Sequence, residues 1–154
     1  MNDSLDALYR DIIMDHFKYP RGTTKLTDPD IDNEGKNPTC GDEIEVAVKL
    51  NGDKVEDIFV GCKGCAISVA SASMLSEIIK GKSVAEVKKI AGIIKAMLKG
   101  EEPKESMDLG DLEALKGVKN FPVRIKCALL AWTTLIEGLD AFENEREAKI
   151  SSTE

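Results

Sequence analysis

Residues 43–60 constrain the fold more than any other stretch. Ile44, Val46, Val48 and Leu50 alternate with Glu45, Ala47 and Lys49, and Asn51-Gly52 follows at once. Alternation at period two gives a strand with one buried face, and Asn-Gly favours the positive φ angles of a tight hairpin turn. The return run holds Val55, Ile58, Phe59 and Val60. Its alternation slips near Asp57, which predicts a bulge there. A lone hairpin is marginal in water, so the other elements must cover its apolar face.

Those elements read mostly as helices. Residues 3–17 place Leu5, Leu8, Ile12 and His16 on one face, with Ser4 or Asp3 as N-cap and Pro20 as the stop. Residues 65–80 are rich in small side chains (Ala66, Ser68, Ala70, Ser71, Ala72, Ser73) and end at Gly81. Small residues predict close approach to the sheet or to another helix. Ser83 and Glu86 form a capping box for a third helix, striped by Val84, Val87, Ala91, Ile94 and Leu98 and ended by Gly100. A long helix is expected from about Phe121 to Glu145, with a frayed tail over 146–154. Residues 18–39 lack a helical period and hold Pro20, Gly22, Pro29, Gly35 and Pro38. They read as an irregular connection with room for one edge strand. Residues 101–119 are polar and acidic, with one weak turn at Asp111–Leu115. No repeat or linker interrupts the chain. The expectation is one α+β domain over residues 1–154, with helices packed on one face of a small antiparallel sheet.

Charge narrows the function. Lys plus Arg number 21 against 28 Asp plus Glu, a net charge of −7. That argues against phosphate-backbone binding, so no nucleic-acid partner is expected. No apolar run nears the ~20 residues that span a bilayer. The N-terminus lacks the basic-then-apolar pattern of a secretory signal. A cytoplasmic location without a membrane partner is expected. In a reducing cytosol, cysteines serve as ligands, nucleophiles or core filler rather than as disulfides.

The four cysteines carry the chemistry. Cys40 lies in Asn37-Pro38-Thr39-Cys40-Gly41-Asp42, where Pro38 and Gly41 mark a tight loop. A thiol and a carboxylate two residues apart can turn toward one point, although a turn with a chance cysteine looks the same. Cys62-Lys63-Gly64-Cys65 has the spacing of a redox pair or of half a zinc site. The redox reading wants a βαβ unit, and a hairpin precedes the motif instead. The zinc reading wants a second local Cys or His pair, and none is near. Cys65 opens a helix, where backbone N–H groups and the helix dipole favour a thiolate. Cys62 ends an apolar strand and reads as filler. On a helical wheel Cys127 falls roughly 130° from the centre of its helix's apolar stripe, and Cys65 about 135° from that of its own. Both are therefore expected off the main buried faces, as ligands or nucleophiles. His16, the only histidine, reads as a hydrogen-bonded structural residue. GxSxG, Walker A and GxGxxG patterns are absent.

Several segments in order carry a family likeness. They are Asp15-His16-Phe17-Lys18-Tyr19-Pro20-Arg21, Asn37 to Asp42, Gly64-Cys65-Ala66-Ile67-Ser68, and Phe121-Pro122-Val123-Arg124-Ile125-Lys126-Cys127. The set covers most of residues 9–142 and resembles the IscU/SufU/NifU N-terminal family of iron–sulfur cluster assembly scaffolds. The resemblance implies Cys40, Cys65 and Cys127 as thiolate ligands and Asp42 as the fourth. It also implies a three-stranded sheet whose third strand falls within 18–39. Lys126 stands where the IscU branch has histidine, and Met107–Asn120 looks like an extra segment of the SufU branch. Both place the chain nearer SufU. The chaperone-binding motif of the IscU branch is changed here to Phe121–Ile125.

The implied function is a scaffold that receives sulfur from a cysteine desulfurase, binds iron or a [2Fe–2S] cluster and passes it to acceptor apoproteins. Cys127 and Cys40 are then candidate persulfide acceptors. Lys126, with Arg124, would offset the negative charge of the site. The SufU branch implies an alternative: a zinc-dependent sulfur carrier, a sulfurtransferase, with Zn2+ in the same Cys3Asp site. That leaves open whether the chain is an enzyme. A structural zinc domain acting as an interaction module is a third reading. A homo-oligomer is left open.

Overall fold

The computed structural model describes residues 3–102 and 107–152, with side chains over 6–102 and 107–146. Along the chain run α1 (Asp3–Lys18), β1 (Ile31–Asn37), β2 (Asp42–Asn51), β3 (Lys54–Lys63), α2 (Ala66–Ile79) and α3 (Val84–Leu98). A 3-10 helix (Gly110–Asn120) and α4 (Pro122–Ser152) complete it. The strands form one antiparallel sheet in the order β1-β2-β3. The architecture is α+β, a three-stranded sheet with packed helices and a long C-terminal helix, as expected.

The hairpin follows the period-two pattern. Asn51 pairs with Lys54 around Gly52, whose φ is +65°. Ile44 pairs with Cys62, Val46 with Val60 and Val48 with Ile58, which lines one face with apolar side chains. Lys49 faces Asp57 while Leu50 faces Val55, so Glu56 is the extra residue of the bulge. Ala47 and Phe59 pair across the other face, where the Lys25 ammonium lies 5.8 Å from the Phe59 ring centre.

β1 lies in the segment that reads as irregular. Its sequence, Ile-Asp-Asn-Glu-Gly-Lys-Asn, is poor in strand formers. Tertiary contacts hold it instead. It pairs with β2 from Ile31↔Val48 to Asn37↔Asp42. Asn33 Nδ2 donates to Thr134 O on α4 at 2.9 Å. A Cβ on Gly35 would collide with Thr134 Oγ1, and one on Gly138 would sit 2.9 Å from Ile31 Cγ2. The two glycines let strand and helix come together.

The small residues of α2 do what their size predicts. Ser71 Oγ donates to Ala128 O at 2.6 Å, so α2 and α4 pack backbone to side chain. The capping box of α3 is present: Ser83 Oγ accepts from Glu86 N at 3.1 Å, and Ser83 N donates to Glu86 Oε1 at 3.2 Å. Leu75, Ile79, Ile90, Ile94, Leu98, Leu115, Trp132, Leu135 and Leu139 fill the core between these helices and the sheet.

Three expectations are corrected. The segment 101–119 is more than a weak turn, because Gly110–Asn120 is helical and buries Leu112, Ala114, Leu115 and Val118. Leu109, Leu112, Leu115 and Val118 recur every three residues, the period that a 3-10 helix aligns on one side. The face of α1 is also rotated: Tyr9, Ile12, Ile13 and His16 turn inward, while Leu8 is exposed. Helix α4 does not end near 145 but runs to Ser152, through Arg-Glu-Ala-Lys, all good helix formers. The Leu5 side chain, any cap contact of Asp3 or Ser4, and residues 153–154 lie outside the described residues.

Candidate metal centre

Four separate elements bring the sulfur and carboxylate groups to one end of the sheet. Cys40 sits in the β1–β2 turn, where Cys40 N and Gly41 N both donate to Asn37 O at 3.2 and 2.9 Å. Gly41 takes φ +73°, a left-handed conformation that suits glycine. Asp42 opens β2 on the same inward face as Ile44 and Val46, and it is 1% exposed. Cys65 is the N-cap residue of α2. Cys127 lies in the second turn of α4.

Cys40 Sγ and Cys127 Sγ are 3.1 Å apart. One donor atom each from Cys40, Asp42 and Cys127 lies within 4.8 Å of the other two. Cys65 is not in that mutually close group, but its sulfur lies 3.9 Å from Asp42 Oδ2. The four expected residues therefore meet, three tightly and Cys65 at the edge, held by Asp42. Two or three thiols with one carboxylate suit zinc or a cysteine-ligated iron–sulfur cluster and are too soft for calcium or magnesium.

Cys127 departs from its expected position. The wheel puts it off the apolar stripe, yet it is fully buried. The first turns of α4 are covered on a second side by the β1–β2 turn and by the start of α2. Asn37 Nδ2 approaches Cys127 Sγ at 3.8 Å, and Ser68 Oγ lies 3.2 Å from Cys127 O. The off-stripe angle thus marks a face turned to the site, not to solvent.

Hydrogen bonds set the electrostatics. Burial pushes the Asp42 carboxyl up, but bonds from Ser68, from Cys65 N–H and from Cys127, with the charge of Arg124, outweigh it and hold the group below its ordinary value. Burial also pushes the Cys65 thiol up. Hydrogen bonding with the Ser68 main chain and side chain and with Cys127 reverses that, leaving Cys65 below an ordinary thiol. The Cys127 thiol is pushed well up by burial and by its contacts with Cys40, Asp42 and Cys65. The cation facing the sulfurs is Arg124, whose guanidinium is held by Cys127 and by the charges of Cys65 and Cys127. Lys126 is exposed one residue before Cys127.

Cys62 stands apart from the donors. It is half-buried against the core, and burial raises its thiol to about 12, with the charges of Asp42 and Cys65 adding to the rise. His16 is a buried pin, far from the cysteines in role. Its Nδ1 is 2.7 Å from Ser73 Oγ and its Nε2 is 2.8 Å from Asp111 Oδ2. Both ring nitrogens are satisfied, and Arg21 lies 3.9 Å from the neighbouring Glu77, so the cluster ties α1, α2 and the 3-10 helix together.

Sequence reasoning passed over Ser68, Asn37 and Gly64. A Cβ on Gly64 would overlap the Asp42 carboxylate, so glycine is required beside it. The available signal was the position of Gly64 and Ser68 on either side of Cys65.

A family model described as the NifU-like N terminal domain matches residues 8–147. The chain belongs to this family. Members and neighbours carry names from both branches of it. The chain is 49% identical over 138 residues to the zinc-dependent sulfurtransferase SufU of Bacillus subtilis (strain 168), covering 90% of this chain and 93% of that one. It is 41% identical over 140 residues to the iron–sulfur cluster assembly scaffold protein IscU of Streptococcus pyogenes serotype M1, covering 91% and 87%. A crystal structure described as an iron–sulfur cluster assembly scaffold protein for the SUF system, from Fervidobacterium islandicum AW-1, superposes with a TM-score of 0.78. It shares 36% identity, over 84% of this chain and 94% of that one. As a NifU-like N-terminal domain, the chain has its family's fold, with Cys40, Asp42 and Cys127 together and Cys65 beside Asp42 at one end of the sheet.

Proposed function

We propose that this chain works in iron–sulfur cluster assembly as a sulfur acceptor, taking sulfur from a cysteine desulfurase at the Cys40, Asp42, Cys65, Cys127 site. The convergence of Cys40, Asp42 and Cys127 carries the reading. The likeness to a zinc-dependent sulfurtransferase over nine-tenths of the chain favours Zn2+ as the resident metal. Cys40, Asp42, Cys65 and Cys127 would hold the zinc, which would supply Lewis acidity that keeps the thiols deprotonated.

Cys40 is the acceptor that accessibility favours, since it is half-exposed on its turn while Cys127 is fully buried. The Cys40 thiolate attacks the terminal sulfur of the donor's persulfide. A new S–S bond forms on Cys40, the donor's S–S bond breaks, and its electron pair leaves on the desulfurase cysteine as a thiolate. The reaction is thiol–persulfide exchange, governed by thiolate character and access. Arg124 offsets negative charge during transfer, and Lys126 extends the positive rim. Asp42 is a harder donor than a thiolate, which favours release over retention.

The second reading is a scaffold on which iron joins the sulfur and a [2Fe–2S] cluster forms as cargo for acceptor apoproteins. The 41% identity to a scaffold protein supports it. The two readings separate in protein purified without oxygen and mixed with desulfurase, cysteine and iron. One zinc per chain, sulfur on Cys40 by mass spectrometry and no visible chromophore is the expected outcome. A brown chromophore that moves to an apoprotein would replace it with the scaffold. A chain that takes up neither metal nor sulfur would refute both.

A further inference from the structure

One hydroxyl touches three of the four site residues. Ser68 Oγ donates to Asp42 Oδ2 at 2.5 Å and lies 3.2 Å from Cys127 O and 3.7 Å from Cys65 Sγ. It is 2% exposed, in the first turn of α2. The other carboxylate oxygen, Asp42 Oδ1, accepts from Cys65 N at 2.9 Å. Asp42 is thus gripped at both oxygens by the N-terminus of α2, in the place a capping side chain would take, and Cys65 itself supplies no side-chain cap. Gly64 leaves the room for this, because any Cβ there would overlap the carboxylate.

We propose that Ser68 is a positioning residue of the metal centre, one that orients Asp42 toward the sulfurs of Cys40 and Cys127. The inference rests on the reading that this site holds a metal. A carboxylate on a β-strand start can rotate about two bonds. With Oδ1 on Cys65 N–H and Oδ2 on Ser68, the plane of the carboxylate is fixed. An oxygen has a second lone pair, so Oδ2 can face a metal while still accepting from Ser68. Hydrogen-bonded carboxylates of this kind set ligand orientation, and loss of the partner typically costs about 10- to 100-fold in metal affinity. The same hydroxyl oxygen lies 3.2 Å from the Cys127 carbonyl, so Ser68 also packs against the helix that carries Cys127.

A double-mutant cycle on zinc affinity tests this, read by competition with a chromophoric chelator on the full chain. Ser68→Ala is expected to weaken zinc by about 10- to 100-fold in the wild-type background. In the Asp42→Ala background it should change affinity by no more than about twofold, the ordinary error of additivity. With Co2+ in place of zinc, the ligand-field bands of Ser68→Ala should move toward those of Asp42→Ala. Equal losses in both backgrounds, or an unchanged spectrum, would overturn the proposal, because Ser68 would then act through packing alone. If Ser68→Ala fails to fold, Ser68→Thr keeps the hydroxyl and should hold zinc as wild type does; a loss there as large as that predicted for alanine would count against it. If wild-type protein binds neither Zn2+ nor Co2+, the metal reading fails. The same cycle on urea unfolding of the metal-free chain then decides whether Ser68 grips Asp42: coupling keeps the grip, and additivity removes it.

Discussion

At the scale of the residue, thiols of one chain differ because of what surrounds them. Cys65 heads a helix, where hydrogen bonds from Ser68 outweigh burial and draw its thiol below the usual value. Cys62, three residues earlier, is raised to about 12 by burial, then by the charges of Asp42 and Cys65. In metal-free protein at pH 7.5, iodoacetamide should label Cys65 faster than Cys62. The larger thiolate fraction of Cys65 outweighs the lower nucleophilicity of the more acidic thiol, which cancels about half of that advantage on a log scale. A clear excess of label on Cys65 at early times is expected. Trypsin cuts after Lys63, so the two cysteines appear on different peptides in mass spectrometry. Equal labelling rates would show that the environment of Cys65 does not lower its thiol. Raising the pH should narrow the ratio, since Cys65 is ionised first and only Cys62 has thiolate left to gain.

At the scale of the element, the segment after α3 gives the sharpest contrast between reading and structure. It looks polar, with six acidic residues between 101 and 113. Its apolar residues fall at intervals of three, and the 3-10 helix stacks them inward. Leu112 is 1% exposed, so Leu112→Ala should destabilise the protein by about 2–5 kcal/mol in urea unfolding, as buried leucines do. A surface turn would lose less than about 0.5 kcal/mol. Helix-period and strand-period templates both pass over a run of period three, which is why the element was not legible. β1 was hidden for a different reason. Its ladder partners lie on β2 and its packing partners on α4, so nothing within Ile31–Asn37 announces a strand except its place between turn residues. The hairpin and the α3 capping box were legible because both are local: an alternation, a two-residue turn, and a side chain reaching three residues along.

At the scale of the whole molecule, the site joins parts of the chain that are remote in sequence: Asp42 meets Cys65 from 23 positions away, and Cys40 meets Cys127 from 87. A metal that binds only this assembled arrangement stabilises the fold by mass action. With zinc at 100 times its dissociation constant the gain is about 2.7 kcal/mol. For a chain of this length that raises the melting midpoint by about 5–11 °C. Calorimetry of the zinc-loaded protein, with and without a strong chelator, checks it. No shift on chelation would mean that the metal does not bridge the elements. No helix among the described residues is long and apolar enough to cross a membrane.

The sequence by itself determined the local features and the chemistry on offer. It fixed the hairpin and its bulge, the α3 cap, the small face of α2, and a donor set of soft thiols with one carboxylate. Motif likeness, not periodicity, singled out which cysteines join that set, because helical phase reports a direction and not a neighbour. Only the tertiary structure decided what each donor meets. It buried Cys127 on a second face of α4, placed Cys65 at the margin, brought Arg124 to the sulfurs, and set Ser68 against Asp42, Cys65 and the Cys127 carbonyl. The physical reason is one of range: hydrogen-bonded caps and alternation act over a few residues, whereas a site of this kind exists only where four elements pack against one another.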